Sequence, residues 1–205
     1  MKGDIPKPDH ILIYDFVATP DDVPADSTLA SHSSSNPISQ TPEQIATGRR
    51  VGAEISTKLA EEIRGMGLPA RRATGATTQQ VNDIIIRGYL LAVDEGSTAK
   101  RMTIGFGSGA SHLSVAVEGY QRTAQGLRKL GSGKVASGGS KGPGGAAPLG
   151  VLIATGNPIG LIVSTGMKVY GERSGSSKID GRAEQTAKTI AEQIKPRFKE
   201  LGWIK

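Results

Sequence analysis

Apolar positions recur along the chain in two rhythms. ILIYDFVA (11–18) is a short run of Ile, Leu, Tyr, Phe and Val with proline on both sides, the composition of a buried strand. From Thr41 the spacing becomes helical: Ile45, Val51, Ile55, Leu59 and Ile63 form a stripe, with Ala46, Ala53 and Ala60 beside it. Thr41-Pro42-Glu43-Gln44 reads as a capping box, with Thr41 as N-cap, Pro42 at the first helical position and Gln44 reaching back. Gly65 and Gly67 end the helix. Gly48 and Gly52 stand one turn apart on one face, where each costs helix stability. Their spacing predicts that another element packs closely against that face.

LPARRAT (68–74) predicts a short strand. DIIIRGYLLAVD (83–94) is almost wholly apolar, as a central strand covered on both faces would be. EGSTAK is the turn after it, and the return begins at 101–106. In SHLSVAVEGY, Leu113, Val115 and Val117 alternate with Ser114 and Ala116, the pattern of a half-buried strand. The last element returns to the helical period through Ala183, Ala187, Ile190, Ile194, Phe198 and Leu201. Asp180 is the expected N-cap, Pro196 predicts a kink, and Gly202-Trp203 predicts a Schellman stop with the Trp packed back on the helix. The elements together predict an α/β (α+β) fold: a mixed, mainly antiparallel sheet with two main helices on one face.

Between these elements lie two irregular stretches. Residues 19–40 hold three prolines and six serines with no apolar period, a long polar loop. Glycine fills eight of the twenty positions 131–150, which suits either a pair of strands joined by a flexible loop or a linker. Residues 142–167 carry no charge and are long enough to span a bilayer. Asn157-Pro158 interrupts them and small residues dilute their apolarity, so a pair of short apolar elements packed on the sheet is the expectation. The whole, 1–205, reads as one domain with 131–167 as a glycine-rich, apolar insertion or contact segment.

Charge changes the picture in one respect. The net charge of +6 divides unevenly: six Asp against two Lys give −4 over residues 1–40, nine basic and eight acidic residues give +1 over 41–120, and fourteen basic and five acidic residues give +9 over 121–205. A basic C-terminal third suits a module that binds a polyanion through Lys134, Lys141, Lys168, Arg173, Lys178 and Arg182. The same charges also serve as solvated helix faces, and no aromatic residues interleave with them as single-strand binding requires. The chain has no cysteine, which excludes disulfides, thiol nucleophiles, Cys-ligated zinc and a lipid-modified Cys. MKGDIPKPDH at the start has no apolar core of a signal peptide.

The motifs that carry chemistry fail on their context. Neither Lys134 nor Lys141 completes a phosphate-binding loop, since Arg128 stands where the first Gly belongs for one and Ser140 precedes the other. GFGSG (105–109) has Ala110 where a dinucleotide fingerprint needs its third Gly, and it leads from strand to strand. Gly138-Gly139-Ser140-Lys141-Gly142 spells a nucleophile elbow, yet both flanks are polar and glycine-rich. His10, His32 and His112 lack ligand spacing, so no metal and no cofactor is expected. Adjacent carboxylates (Asp21-Asp22, Glu61-Glu62, Asp94-Glu95) point apart. Asp15, at the end of the first strand, is the one acidic residue inside an apolar run. It is the candidate sheet-end site, since ligands bind at strand C-termini in open α/β sheets, against a capping or salt-bridged role.

ILIYDF, the capped helix ending in KLAEEIRGMGLPARRA, IIIRGYLLAVDEGS, GFGSGASHLSVAV and the closing LGWI together resemble a family of bacterial envelope proteins. That family is defined by a domain of unknown function, and many of its members are lipoproteins. The element order more distantly resembles the periplasmic domains of the curli-secretion lipoprotein and of the lipoprotein that activates penicillin-binding proteins. The resemblance implies a non-catalytic protein of the periplasm or outer membrane that binds or assembles envelope components. Its expected partner is a protein or an envelope surface, a second copy of the chain included, rather than nucleic acid, and no membrane-spanning helix is expected. The alternatives are the basic polyanion-binding module and an enzyme using Asp15.

Overall fold

The computed structural model describes residues 5–27, 40–94, 112–138, 162–163 and 176–205. Strands β1 (Ile11–Tyr14), β2 (Ala70–Ala73), β3 (Ile84–Asp94), β4 (His112–Thr123) and β5 (Gly126–Gly138) stand side by side in the order β2-β1-β3-β4-β5. β1 pairs in parallel with β2 and β3, whereas β3–β4 and β4–β5 are long antiparallel pairs. β6 (Ile162–Val163) lies parallel to β3 at Ala92 and Val93. The sheet is therefore mixed and mostly antiparallel. Helices α1 (Pro42–Gly65) and α2 (Ser176–Glu200) pack together on one face of it, so the fold expected from the apolar pattern is the fold observed.

The main core lies between that face and the helices. Ile11, Ile13, Ile84, Ile86, Leu90, Leu113, Val115 and Val135 from the strands meet Val51, Ile55, Leu59 and Ile63 of α1 and Ala183, Ala187 and Ile190 of α2. β3 is central and covered on both faces, since Ile85 and Tyr89 on its other side are buried too. The capping box at Thr41 is present in both directions: the Gln44 amide donates to the Thr41 hydroxyl, and the Thr41 amide to the Gln44 side chain.

The residues after β1 explain the helix glycines. Phe16 and Ala18 project toward α1, where a Cβ on Gly52 would stand 2.1 Å from the Phe16 carbonyl oxygen and one on Gly48 would stand 2.8 Å from the Ala18 Cβ. On the sheet side the Phe16 ring fills the place of a side chain at Gly88. Three glycines thus make the slot in which the end of the first strand lies, which is the close packing that Gly48 and Gly52 predict.

Both helices run toward the end of the sheet where β1 and β3 begin. Near their starts Arg50 of α1 pairs with Asp180 of α2. α2 begins at Ser176, a turn before Asp180. Asp180 is therefore an interhelical partner rather than the N-cap the sequence suggests. Pro196 lies within α2, which continues past it to Glu200. The stop that follows is a Schellman motif: Gly202 has φ +70°, its amide donates to the Lys199 carbonyl, and the Trp203 amide donates to that of Phe198. The Trp203 and Phe198 rings lie 5.3 Å apart, and the indole N–H donates to the Ile5 carbonyl at 3.1 Å, tying the two ends of the described chain together.

Residues 131–138 of the glycine-rich stretch are the second half of β5, paired with β4 along their length. The rest of that stretch, the uncharged 142–167 apart from 162–163, Ser140, GFGSG, and the turn and return between β3 and β4 lie outside the described residues. No helix among the described residues is long and apolar enough to cross a membrane.

A candidate functional site beneath the strap

The second face of the sheet carries a polar cluster, and strand alternation puts it there. On β3, Ile86, Gly88 and Leu90 face the helices, so Arg87 and Tyr89 face away. On β4 the same parity turns Ala116, Glu118 and Tyr120 away from Val115 and Val117. On β5 Lys129 stands opposite Tyr120. The chain leaving β1 crosses to this face. Val17 bridges to β3 through its amide to the Gly88 carbonyl and its carbonyl from the Leu90 amide. A short 3-10 turn follows at Pro20–Asp22, Val23 packs near Tyr89 and Ala116, and Asp26 and Ser27 reach the polar side chains. Residues 17–27 thus form a strap across the sheet.

Glu118 is the hub. It is fully buried, and one carboxylate oxygen accepts from the Ser27 hydroxyl (2.7 Å), the Tyr120 hydroxyl (2.8 Å) and the Tyr89 hydroxyl (3.1 Å). The other accepts from the Lys129 ammonium at 2.9 Å. Beside it Arg87 donates to Asp26 at 2.7 Å and lies 5.3 Å from the centre of the Tyr120 ring, close enough for cation–π attraction. A buried carboxylate is costly unless it is paired and hydrogen-bonded, and here four donors from three strands and the strap converge on it. Among the described residues no buried side-chain polar atom is left without a partner.

The cluster sets the ionisation of its members. Burial, with the Glu118 charge behind it, pushes the Tyr89 and Tyr120 phenols far above the ordinary value of 10.0. Burial works against the charge on Arg87, and the hydrogen bond and charge of Asp26 outweigh it, leaving the guanidinium pKa raised. A phenol whose folded value is raised stabilises the fold fully below the unfolded value of about 10. That contribution is lost as pH climbs from there toward the folded value. Ultraviolet titration should therefore show Tyr89 and Tyr120 ionising only together with loss of the near-ultraviolet circular dichroism. Removing both hydroxyls (Tyr89→Phe, Tyr120→Phe) should abolish that late, cooperative step. Ionisation of every tyrosine while the fold persists would contradict the geometry.

The residues singled out in the sequence stand elsewhere. Asp15, at the end of β1, is gripped by both arms of the Arg72 guanidinium, Nε to Oδ1 at 2.5 Å and Nη2 to Oδ2 at 2.6 Å, the salt-bridged role weighed for it. Of the six basic residues, Lys134 lies on the strap face of β5, opposite Ala116. Arg182 and Lys178 belong to α2 on the other side. Lys141, Lys168 and Arg173 lie outside the described residues. The structure thus does not bring Lys134 and Arg182 together. Glu118, Tyr89, Tyr120, Arg87, Lys129 and Ser27 are missed as a group by motif reading. Their one trace in the sequence is a pair of i, i+2 couples, Arg87/Tyr89 and Glu118/Tyr120, each on one face of a strand. Among the described residues no group of three or more His, Asp or Glu side chains could hold a metal ion.

The profile of a protein family described as a domain of unknown function (DUF4410) matches residues 11–156, which takes in both the strap and the cluster beneath it. No curated protein matches the chain.

Proposed function

The chain belongs to the DUF4410 family, and we propose that it is a non-catalytic protein of the bacterial cell envelope that binds or assembles envelope components. The observation that carries the non-catalytic part is the engagement of two candidate carboxylates, one beneath the strap and one at the sheet end. Glu118 is held by three hydroxyls and a lysine, and Asp15 by both arms of Arg72. A general base needs a lone pair within reach of a substrate proton; Glu118 is buried with its oxygens taken up by four donors, and Asp15 is tied to the Arg72 guanidinium. The envelope part draws its support from the sequence resemblance to envelope proteins, many of them lipoproteins. The polyanion reading has less support, because Lys134 and Arg182 stand on opposite sides of the sheet.

Fractionation of cells making the natural protein tests the proposal. The chain should be recovered with the envelope, and a photoreactive residue at exposed Val81 should cross-link to an envelope component. Recovery in the cytosol would overturn the reading.

A further inference from the structure

One end of the molecule gathers positive charge from elements distant in sequence. It is the end where β1 and β3 begin, β4 turns into β5, and both helices finish. A chain of hydrogen bonds defines it. The Asn82 side chain donates to the Lys7 carbonyl at 3.1 Å and accepts from Gln121 at 3.1 Å. Gln121 in turn accepts from Arg128 at 2.5 Å. The backbone of Arg122 pairs with Asn82 and Asp83, with both bonds at 2.8 Å. Lys7, Arg122 and Arg128 are thereby fixed as neighbours. Lys205 follows Trp203, which is anchored to Ile5 beside them. Lys7, Arg128 and Lys205 are exposed and Arg122 is half-buried. Acidic groups there do little to offset them: Asp83 is buried against His10, Glu200 is paired with Arg197, and Asp9 alone is exposed and carries no ion pair among the described residues.

We infer that this end docks on an anionic lipid surface. Two features select a membrane over a nucleic acid. The charges sit on the ends of separate elements that finish together, so a plane meets them at once where a strand or groove would meet a few. The aromatic side chains near them, Tyr120, Phe198 and Trp203, are all buried, so none is presented for a base to stack on. Basic residues at an anionic surface attract it additively and within a Debye length. The inference rests on the envelope reading and names the surface through which contact is made.

Vesicle co-sedimentation tests it, using the full chain with phosphatidylglycerol/phosphatidylethanolamine vesicles and with neutral phosphatidylcholine vesicles at low and high salt. The chain should bind the anionic vesicles at low salt, release them at high salt and ignore the neutral ones. Replacing Lys7, Arg122 and Arg128 by Gln should weaken binding on the order of a hundredfold with near-ultraviolet circular dichroism unchanged. The matched control, Arg49, Lys58 and Lys188 replaced by Gln on the helices, removes the same charge and should bind nearly as the parent does. Equal loss in both variants would mean that net charge and not this end drives binding. Absence of anionic-vesicle binding, or duplex DNA bound in preference to the vesicles, would overturn the inference as well. Recovery with the envelope in cells without vesicle binding would leave the envelope reading standing and remove this one. Vesicle binding by a chain found in the cytosol would do the reverse.

Discussion

Glu118→Ala is expected to lower folding stability by about 3–5 kcal/mol, the usual cost of removing one partner of a buried ion pair. The substitution leaves the Lys129 ammonium without its carboxylate and takes the acceptor from Ser27, Tyr89 and Tyr120 at once. It also cuts the strap's hydrogen bond to β4, leaving the ion pairs Asp26–Arg87 and Asp22–Arg49 to hold it among the described residues. Lys129→Met removes the other half of the pair and leaves the fully buried carboxylate with its three hydroxyl donors but without that cation, so it too should destabilise, by about 3 kcal/mol. Urea denaturation of the two variants checks both losses. A Glu118→Ala protein within about 0.5 kcal/mol of the parent, the range of an ordinary surface substitution, would show that the cluster contributes little to the fold.

The second large effect is expected at the slot for the strand end. Alanine at Gly88 would place its Cβ 2.2 Å from the Phe16 ring, and alanine at Gly52 would place its Cβ 2.1 Å from the Phe16 carbonyl oxygen. Phe16 is buried in the core between α1 and β3. Each substitution should destabilise by about 3 kcal/mol or somewhat more, the upper range for overpacking. The two differ in what relieves them. Phe16→Ala removes the ring and costs about 3–5 kcal/mol by itself, and on that background Gly88→Ala should add little. Gly52→Ala meets backbone, so it should add its full cost in either background. Thermal unfolding of the double-mutant cycles reads the coupling directly. Equal coupling of Phe16→Ala to both glycines would contradict the packing.

How much of this was legible follows from which signals are local. The capping box at Thr41, the Schellman stop at Gly202-Trp203, the buried runs at 11–14 and 84–90 and the alternation of Leu113, Val115 and Val117 are written in neighbouring residues, and each is found in the structure. Gly48 and Gly52 announced a close neighbour without naming it, because Phe16 reaches them only after β1 is placed. Asp180 misled for a related reason. It has the chemistry of a cap, but α2 starts earlier and an arginine on the other helix claims its carboxylate. The glycines at 131–138 left strands joined by a loop and a linker both open by composition, and they lie in β5, where pairing with β4 outweighs their weak strand preference. The cluster beneath the strap was least legible. Ser27, Tyr89, Glu118 and Lys129 are brought together by sheet register and by a strap crossing the sheet, neither of which has a local pattern.

We propose that the buried carboxylate of Glu118 serves to hold the fold together rather than to perform chemistry. Measuring thermal stability and envelope recovery side by side for Glu118→Gln tests it most directly. The amide keeps the shape and loses the charge that Lys129 pairs with, so a clear loss of stability is expected, about 1–3 kcal/mol, with envelope recovery intact below the melting temperature. A variant that melts like the parent yet is no longer recovered with the envelope would contradict this reading and make Glu118 a functional group in its own right.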